Sequence, residues 1–224
     1  MTVTTFYPDG HPETDSGDGR AENNVTNETW ASIHDAASSS FASGTEASIP
    51  VQIQTDNTTD RWDLMGRGFF TFPTATLGDS DIISAATMEF RSNGKNSAGI
   101  AADSLSFVAT TPASPTNVVT GDYNQHGSTK NSTNDIAVSS VTTDSSTAHV
   151  FTLNSTGLGN ISKIAASSFG IGITSDVTDT EPSWVNPGYS AVTILMAEEA
   201  ASGNQRPRLI VTHVSVFTPK VMMF

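Results

Sequence analysis

The five histidines are the residues best suited to acid–base or metal chemistry, and they are scattered along the chain at His11, His34, His126, His149 and His213. Zinc sites need close spacings such as H-x-H or H-E-x-x-H, which do not occur here. No G-x-S-x-G motif surrounds a serine, and there is no cysteine to act as a nucleophile or metal ligand. Glycoside hydrolysis needs two carboxylates about 5–10 Å apart, and no spacing pairs the acids. We therefore expect no catalytic residues and no enzymatic activity.

An oxygen-rich loop is predicted near the start of the chain, in the segment Asp9-Gly10-His11-Pro12-Glu13-Thr14-Asp15-Ser16-Gly17-Asp18-Gly19. Calcium accepts carboxylate and backbone carbonyl oxygens from flexible loops of this kind. The spacing departs from the EF-hand pattern, and solvated acidic loops without a metal are common. The sequence thus leaves open a structural calcium held by Asp9, Asp15 and Asp18, and it predicts no other cofactor.

Four aromatic residues are candidates for stacking against sugar rings. Trp30 and Trp62 lie in strand-like patterned segments, which favours packing in the core or at its rim. Trp184 and Tyr189 fall in the predicted loop 181–189, where aromatic residues more often serve recognition. They are the predicted glycan-binding residues. Covering one end of the sandwich is nevertheless the favoured role of this pair.

The charge of the chain excludes several partners. Ten Lys and Arg against 23 Asp and Glu give a net charge of −13, whereas nucleic acids and anionic membranes need clustered cations. No apolar run approaches the ~20 residues of a membrane span, so we expect no membrane insertion. Among the few cations, Arg61, Arg67 and Arg91 are expected to form buried or half-buried pairs with carboxylates.

The first residues predict no signal peptide, because Met1 to Phe6 contain neither a basic nor a long apolar region. We expect either a trimmed mature form or a virion component released by lysis. Both place the protein outside the cell or on a virion surface.

Short alternating segments separated by turn residues predict strands throughout the chain. Ile49, Val51 and Ile53 alternate with Pro50, Gln52 and Gln54, as in a half-buried strand. Further strands are predicted at 68–72, 86–90, 105–107, 149–153, 169–173, 191–196 and 209–216, with turns at Asn93-Gly94, Gly121-Asp122 and Asn186-Pro187-Gly188. One short helix is predicted behind Asn27 through Trp30, Ile33 and Ala37, and a single turn at Leu158 and Ile161. The pattern predicts an all-β, jelly-roll-like antiparallel sandwich forming one domain over residues 1–216.

Five segments in order carry a family resemblance. They are Phe6-Tyr7-Pro8-Asp9-Gly10 with Trp30-Ala31-Ser32-Ile33, then 61–72, 83–90, 151–157 and 206–213. In these segments the chain resembles the DNRLRE-type family of jelly-roll sandwiches, which is related to carbohydrate-binding modules and occurs in bacterial surface proteins and phage or metagenomic structural proteins. The resemblance covers most of residues 3–214. It implies a jelly roll and a role in adhesion or glycan binding, with function differing among members.

The segment 217–224 is apolar where a chain end is normally polar. The closing strand is expected to end near Thr212 or Val214, yet Phe217, Val221, Met223 and Phe224 follow. Leaving large apolar side chains in water forgoes roughly 1.5–3 kcal/mol each. The segment therefore either folds back on its own sandwich or docks on a neighbouring copy, for which these four residues are the predicted assembly contacts.

These observations favour a non-enzymatic structural or assembly subunit of an extracellular or viral particle, such as a fibre, filament, appendage or surface decoration. Its expected partners are copies of itself, as a homo-oligomer or polymer. The alternative is a carbohydrate-binding module for surface or extracellular glycans, with polysaccharide as partner. A polysaccharide-acting enzyme is the third and weakest hypothesis.

Overall fold

Strands make up 45% and helical turns 12% of the computed structural model, which describes residues 1–100, 103–199 and 205–215. Two antiparallel sheets pack together, which confirms the predicted all-β sandwich. The strands are β1 (Thr2–Phe6), β2 (Asp18–Glu28), β3 (Phe41–Ser43), β4 (Ser48–Thr55), β5 (Trp62–Phe72), β6 (Ile82–Phe90), β7 (Ser92–Asn96), β8 (Ser104–Thr110), β9 (His126–Lys130), β10 (Ile136–Ala137), β11 (His149–Thr152), β12 (Ser167–Ile173), β13 (Tyr189–Leu195) and β14 (Arg208–Val214).

The helical segments are all short. The α-helical turns are α1 (Trp30–His34), α2 (Ser155–Gly159) and α3 (Thr174–Val177), and 3-10 turns cover Thr74–Thr76, Thr120–Gln125 and Val138–Ser140. Among the described residues no helix has the length and apolar character needed to cross a membrane.

The smaller sheet has four strands in the order β1-β14-β6-β11. β14 lies between β1, where Thr2 stands opposite His213, and β6, where Val214 stands opposite Ile82. The two edges of this sheet are therefore β1 and β11.

The larger sheet is built around β5 and runs β10-β8-β12-β5-β4-β13-β7. β2 pairs along one edge of β5, from Trp62 to Phe70. β4 and β12 share the other edge, with β4 opposite residues 62–66 and β12 opposite residues 68–72. Residues 65–72 of β5 are all buried, because other elements cover both faces of the strand.

A run of aromatic rings joins the two sheets through the core. Phe90 and Phe151 of the smaller sheet lie 5.8 Å apart between ring centroids, and Phe151 lies 5.5 Å from Phe107 of the larger sheet. Phe107 then packs 4.9 Å from Phe169, which lies 6.5 Å from Phe72. Offset ring contacts of this kind add to the stabilisation from buried area alone.

The predicted strands at 49–53, 68–72, 86–90, 105–107 and 169–173 lie within strands of the structure. Those at 149–153 and 191–196 each run one residue beyond β11 and β13, and β14 ends at Val214, the end expected for the closing strand, rather than continuing to 216. The predicted helix behind Asn27 is α1, which begins after Thr29. The hydroxyl of Thr29 accepts a hydrogen bond from the Ser32 amide. The predicted turn at Asn93-Gly94 is wrong, because both residues lie inside β7, where Gly94 stands opposite Thr193.

Replacing Phe107 with alanine should lower the free energy of unfolding by about 3–5 kcal/mol, because it removes the central ring of this aromatic run. The side chain is fully buried. Urea denaturation of Phe107→Ala measures the loss. Phe41→Ala is the control, since Phe41 is 42% exposed and should lose much less. Equal losses in the two variants would contradict the packing described here.

Candidate functional site

A polar pocket of about 220 Å³ lies between α1, β5, the start of β9 and α3. It is lined by His34, Asp35, Arg67, Asn124, His126, Gly127, Ser128, Asp176 and Val177. Three histidine or arginine side chains and two carboxylates thus meet in one cavity, although they are far apart in the sequence.

A buried ion pair between Arg67 and Asp176 forms the floor of this pocket. Nε of Arg67 donates to Oδ2 of Asp176 at 2.9 Å and Nη2 donates to Oδ1 at 2.6 Å. Nη1 donates to the Tyr123 carbonyl at 2.7 Å and Nη2 to the His34 carbonyl at 3.0 Å, with the guanidinium 4.0 Å above the Tyr123 ring. Burial alone would raise the pKa of Asp176, but the adjacent Arg67 charge holds it below its usual value.

The expectation of a buried arginine–carboxylate pair is confirmed for Arg67 and wrong for the other two arginines. Neither Arg61 nor Arg91 forms an ion pair with a carboxylate of the described residues. Arg61 bonds to the Asp60 carbonyl at 3.4 Å, and Nε of Arg91 donates to the Ser146 carbonyl at 3.3 Å. Nη1 of Arg91 is buried and has no hydrogen-bond partner among the described residues.

His34 sits at the rim of the pocket between three acidic residues. Its Nε2 donates to the Asp176 carbonyl at 2.9 Å, so the neutral ring carries its lone pair on Nδ1. That nitrogen lies 2.6 Å from Asp35 Oδ1 and 3.5 Å from Asp179 Oδ1. In the described part of the chain, His34, Asp35 and Asp179 are the group of three whose ligating atoms lie within 4.8 Å of one another. The arrangement could hold a divalent cation between the imidazole and the two carboxylates.

His126 is half-buried, but Nε2 of its ring is enclosed in the protein. The ring packs edge-on against Phe69, and its Nε2 has no hydrogen-bond partner among the described residues. Gly170 lies directly against it, since a Cβ there would stand 2.6 Å from Nε2. Burial, helped by the Arg67 charge, lowers the pKa of His126 to about 4, so the ring is neutral at pH 7.

A second cluster joins Thr4, His213 and Asp81. Nδ1 of His213 lies 2.6 Å from Asp81 Oδ2, and Nε2 lies 2.9 Å from the Thr4 hydroxyl. The order of contacts is that of a hydroxyl–imidazole–carboxylate triad. His213 and Asp81 are only 7% and 5% exposed. The cluster ties β1 to β14 and to the turn before β6.

The predicted calcium ligands occupy three different environments. Asp9 folds the loop upon itself, because its Oδ2 accepts from the Asp15 amide at 3.0 Å and from the Thr14 hydroxyl at 2.9 Å. Asp15 is exposed. Asp18 was expected in the loop but is the first residue of β2, where it is 2% exposed. The structure therefore does not bring the three side chains together.

The predicted packing role of Trp30 and Trp62 is confirmed, since both are buried and their rings meet edge-to-face at 4.9 Å. Trp184 is partly buried, and its Nε1 is enclosed without a partner among the described residues. Tyr189 was expected in a loop but begins β13, where its hydroxyl bonds to Gln52. These contacts favour the packing role for Trp184 and Tyr189. Glycan binding by the pair stays a prediction.

The two edges of the smaller sheet differ. Residues 133–134 cover the β11 edge, because Asn134 donates to the Val150 carbonyl at 2.9 Å and accepts from the Thr152 amide at 2.9 Å. Over the described ranges, the backbone hydrogen bonds of β1 run to β14 alone, so no described residue pairs with its outer edge. The predicted assembly residues Phe217, Val221, Met223 and Phe224 lie outside the described residues.

No protein-family model matches the chain, and no curated protein matches it. The resemblance to DNRLRE-type sandwiches thus stays a prediction that depends on the five sequence segments.

Removing one partner of the Arg67–Asp176 pair should lower the free energy of unfolding by about 3–5 kcal/mol, because it leaves a buried charge uncompensated. Asp176→Ala and Arg67→Met test this by urea denaturation. The double variant Arg67→Met with Asp176→Leu should lose less than either single variant. Arg208→Met is the control, since the Arg208–Glu89 pair is partly exposed and should contribute about 0–1 kcal/mol. A loss at Asp176 no larger than at Arg208 would contradict this account.

His126 should make the protein less stable in mild acid. The unfolded chain takes up a proton near pH 6.5, whereas the folded chain resists protonation until about pH 4. Stability is therefore lost as the pH falls between these values, by roughly 2–3 kcal/mol. Urea titrations at pH 7 and pH 4.5 measure this loss, and His126→Gln should reduce it. The exposed His11 serves as control in His11→Gln, and identical pH dependence in all three proteins would refute a neutral ring.

Proposed function

We propose that this chain is a non-enzymatic structural subunit that assembles with copies of itself through the β1 edge of the smaller sheet. In this proposal, the assembled copies form a fibre, appendage or surface decoration of an extracellular or viral particle. The observation that carries the proposal is that no described residue pairs with the outer edge of β1.

The sequence of β1 makes this edge suitable for adding another strand. Monomeric proteins usually protect an edge with lysine, proline, a bulge or a covering loop. β1 reads Thr-Val-Thr-Thr-Phe and pairs with β14 without a register irregularity. Its β-branched residues favour the extended conformation, and it contains neither charge nor proline. An incoming strand therefore meets a regular row of backbone donors and acceptors.

Side-chain hydrogen bonds also fix the position of β1 in its sheet. The Thr4 hydroxyl bonds to the buried His213, which in turn bonds to Asp81. These contacts fix β1 against two other segments, so the receiving edge loses little conformational freedom when another strand joins it. Preorganisation of this kind improves affinity by lowering the ordering cost.

The proposed incoming segment is residues 217–224 of a second copy, whose apolar residues match an apolar surface beside the edge. Val3 is 62% exposed, and Ile82 and Val214, paired across the sheet, are 61% and 39% exposed. Copies with a charge of −13 repel each other, so association has to come from apolar contact and backbone hydrogen bonds. Such a head-to-tail contact either closes into a ring or continues as a filament.

Deleting residues 217–224 should yield a folded, soluble monomer that no longer assembles. Light scattering after gel filtration gives the mass, electron micrographs show rings or filaments of the full chain, and circular dichroism checks the fold. A truncated protein that still polymerises would contradict the proposal. One that unfolds would show that the segment belongs to its own sandwich.

A lysine at the β1 edge should have the same effect without any deletion. Val3→Lys places a charge beside the β1 edge and should lower the apparent association constant at least ~10-fold. Val150→Lys is the matched control, because Val150 is an exposed valine on β11, whose edge is already covered. Equal effects of the two substitutions would argue against the β1 edge as the contact.

A further inference from the structure

The buried carboxylate of Asp18 lies next to that of Glu198, which is half-buried, where the start of β2 meets the residues after β13. One oxygen of each carboxylate accepts a hydrogen bond from a backbone amide. Oδ2 of Asp18 accepts from the Ala197 amide at 2.9 Å, and Oε1 of Glu198 accepts from the His11 amide at 3.1 Å.

The second oxygen of each carboxylate lacks a partner. Asp18 Oδ1 and Glu198 Oε2 are both buried, and no hydrogen-bond donor of the described residues reaches them. The two carboxyl groups lie within hydrogen-bonding reach of each other. Burial and the Glu198 charge raise the pKa of Asp18 well above its usual value, and burial raises the pKa of Glu198.

A third carboxylate adds to the negative charge. The side chain of Glu13 is only 10% exposed and lies close enough to Asp18 to disfavour its ionised form. Its Oε2 bonds to His11 Nδ1 at 3.0 Å, so the loop folds around this group of acids. Buried carboxylate oxygens that accept no hydrogen bond are strongly disfavoured unless a proton or a cation joins them. One proton shared between two of the three carboxylates would still leave most of their negative charge in place.

We propose that Asp18 and Glu198 bind a calcium ion. The donors are all oxygens, which calcium prefers, and calcium tolerates irregular sets completed by carbonyls and water. The site keeps Asp18 from the sequence prediction and has Glu198 in place of Asp9 and Asp15. It does not depend on the proposed assembly function.

Calcium titration of the full chain tests the site. In isothermal calorimetry we expect one bound ion per chain after treatment with EDTA. The midpoint of thermal unfolding should rise by about 5–10 °C at a calcium concentration near 100 times the dissociation constant. Asp18→Asn and Glu198→Gln should each abolish the heat of binding and the calcium-dependent shift.

Two control variants locate the effect. Asp15→Asn removes an exposed acid of the same loop and should retain calcium binding. His34→Gln removes the histidine of the polar pocket and should also retain it. If Asp18→Asn fails to fold, the native chain and Glu198→Gln decide the question, because the glutamate is only half-buried.

Three results would overturn the proposal. The first is an unchanged unfolding midpoint in EDTA and millimolar calcium, with no heat of binding. The second is calcium binding that survives in Asp18→Asn and Glu198→Gln. The third is evidence that the Asp18 and Glu198 carboxylates share a proton instead of binding calcium. In that case the chain would lose stability, independently of calcium, as the pH rises above about 4, and Asp18→Asn would be more stable than the native chain at pH 7.

Discussion

The buried Arg67–Asp176 pair is the interaction on which the arrangement around the central strand depends. Arg67 lies in the middle of β5, and its guanidinium contacts α3 through Asp176, the end of α1 through the His34 carbonyl and the 3-10 turn through Tyr123. Helical segments of four to six residues are not stable by themselves. Each therefore takes its position from contacts with the sheet, and the arginine supplies a charged contact to all three at once.

The strands were predicted more reliably than the helical segments around them, because those segments depend on contacts such as Arg67–Asp176 between distant residues. Strands such as β4 and β6 alternate apolar and polar residues, and that period can be read without knowledge of the partner strand. β2 was missed because several of its buried residues are polar. Glu22 is 6% exposed and accepts hydrogen bonds from Gln52 at 2.6 Å and from Arg20 at 2.7 Å. Only the neighbouring strand makes the burial of Glu22 favourable.

The clusters of titratable residues could not be predicted from spacing for a related reason. Arg67 and Asp176 are 109 positions apart, Asp81 and His213 are 132 apart, and Asp18 and Ala197 are 179 apart. Antiparallel sheets bring such residues together through strand order and register, which sequence motifs do not encode. The acidic composition of residues 9–19 did point to Asp18 and its loop, but the partner carboxylate comes from the segment after β13.

The proposed calcium site and the proposed assembly edge are linked by the chain itself. β1 ends at Phe6, and the loop that follows passes Asp9, His11 and Glu13 before entering β2 at Asp18. One part of β1 is anchored by His213, while the loop beyond its other end is folded around the carboxylates. A cation between Asp18 and Glu198 would neutralise the repulsion within this loop and fix its path. Since strand addition needs a receiving edge with little freedom, a rigid loop after β1 would favour association even though the ion contacts no other subunit.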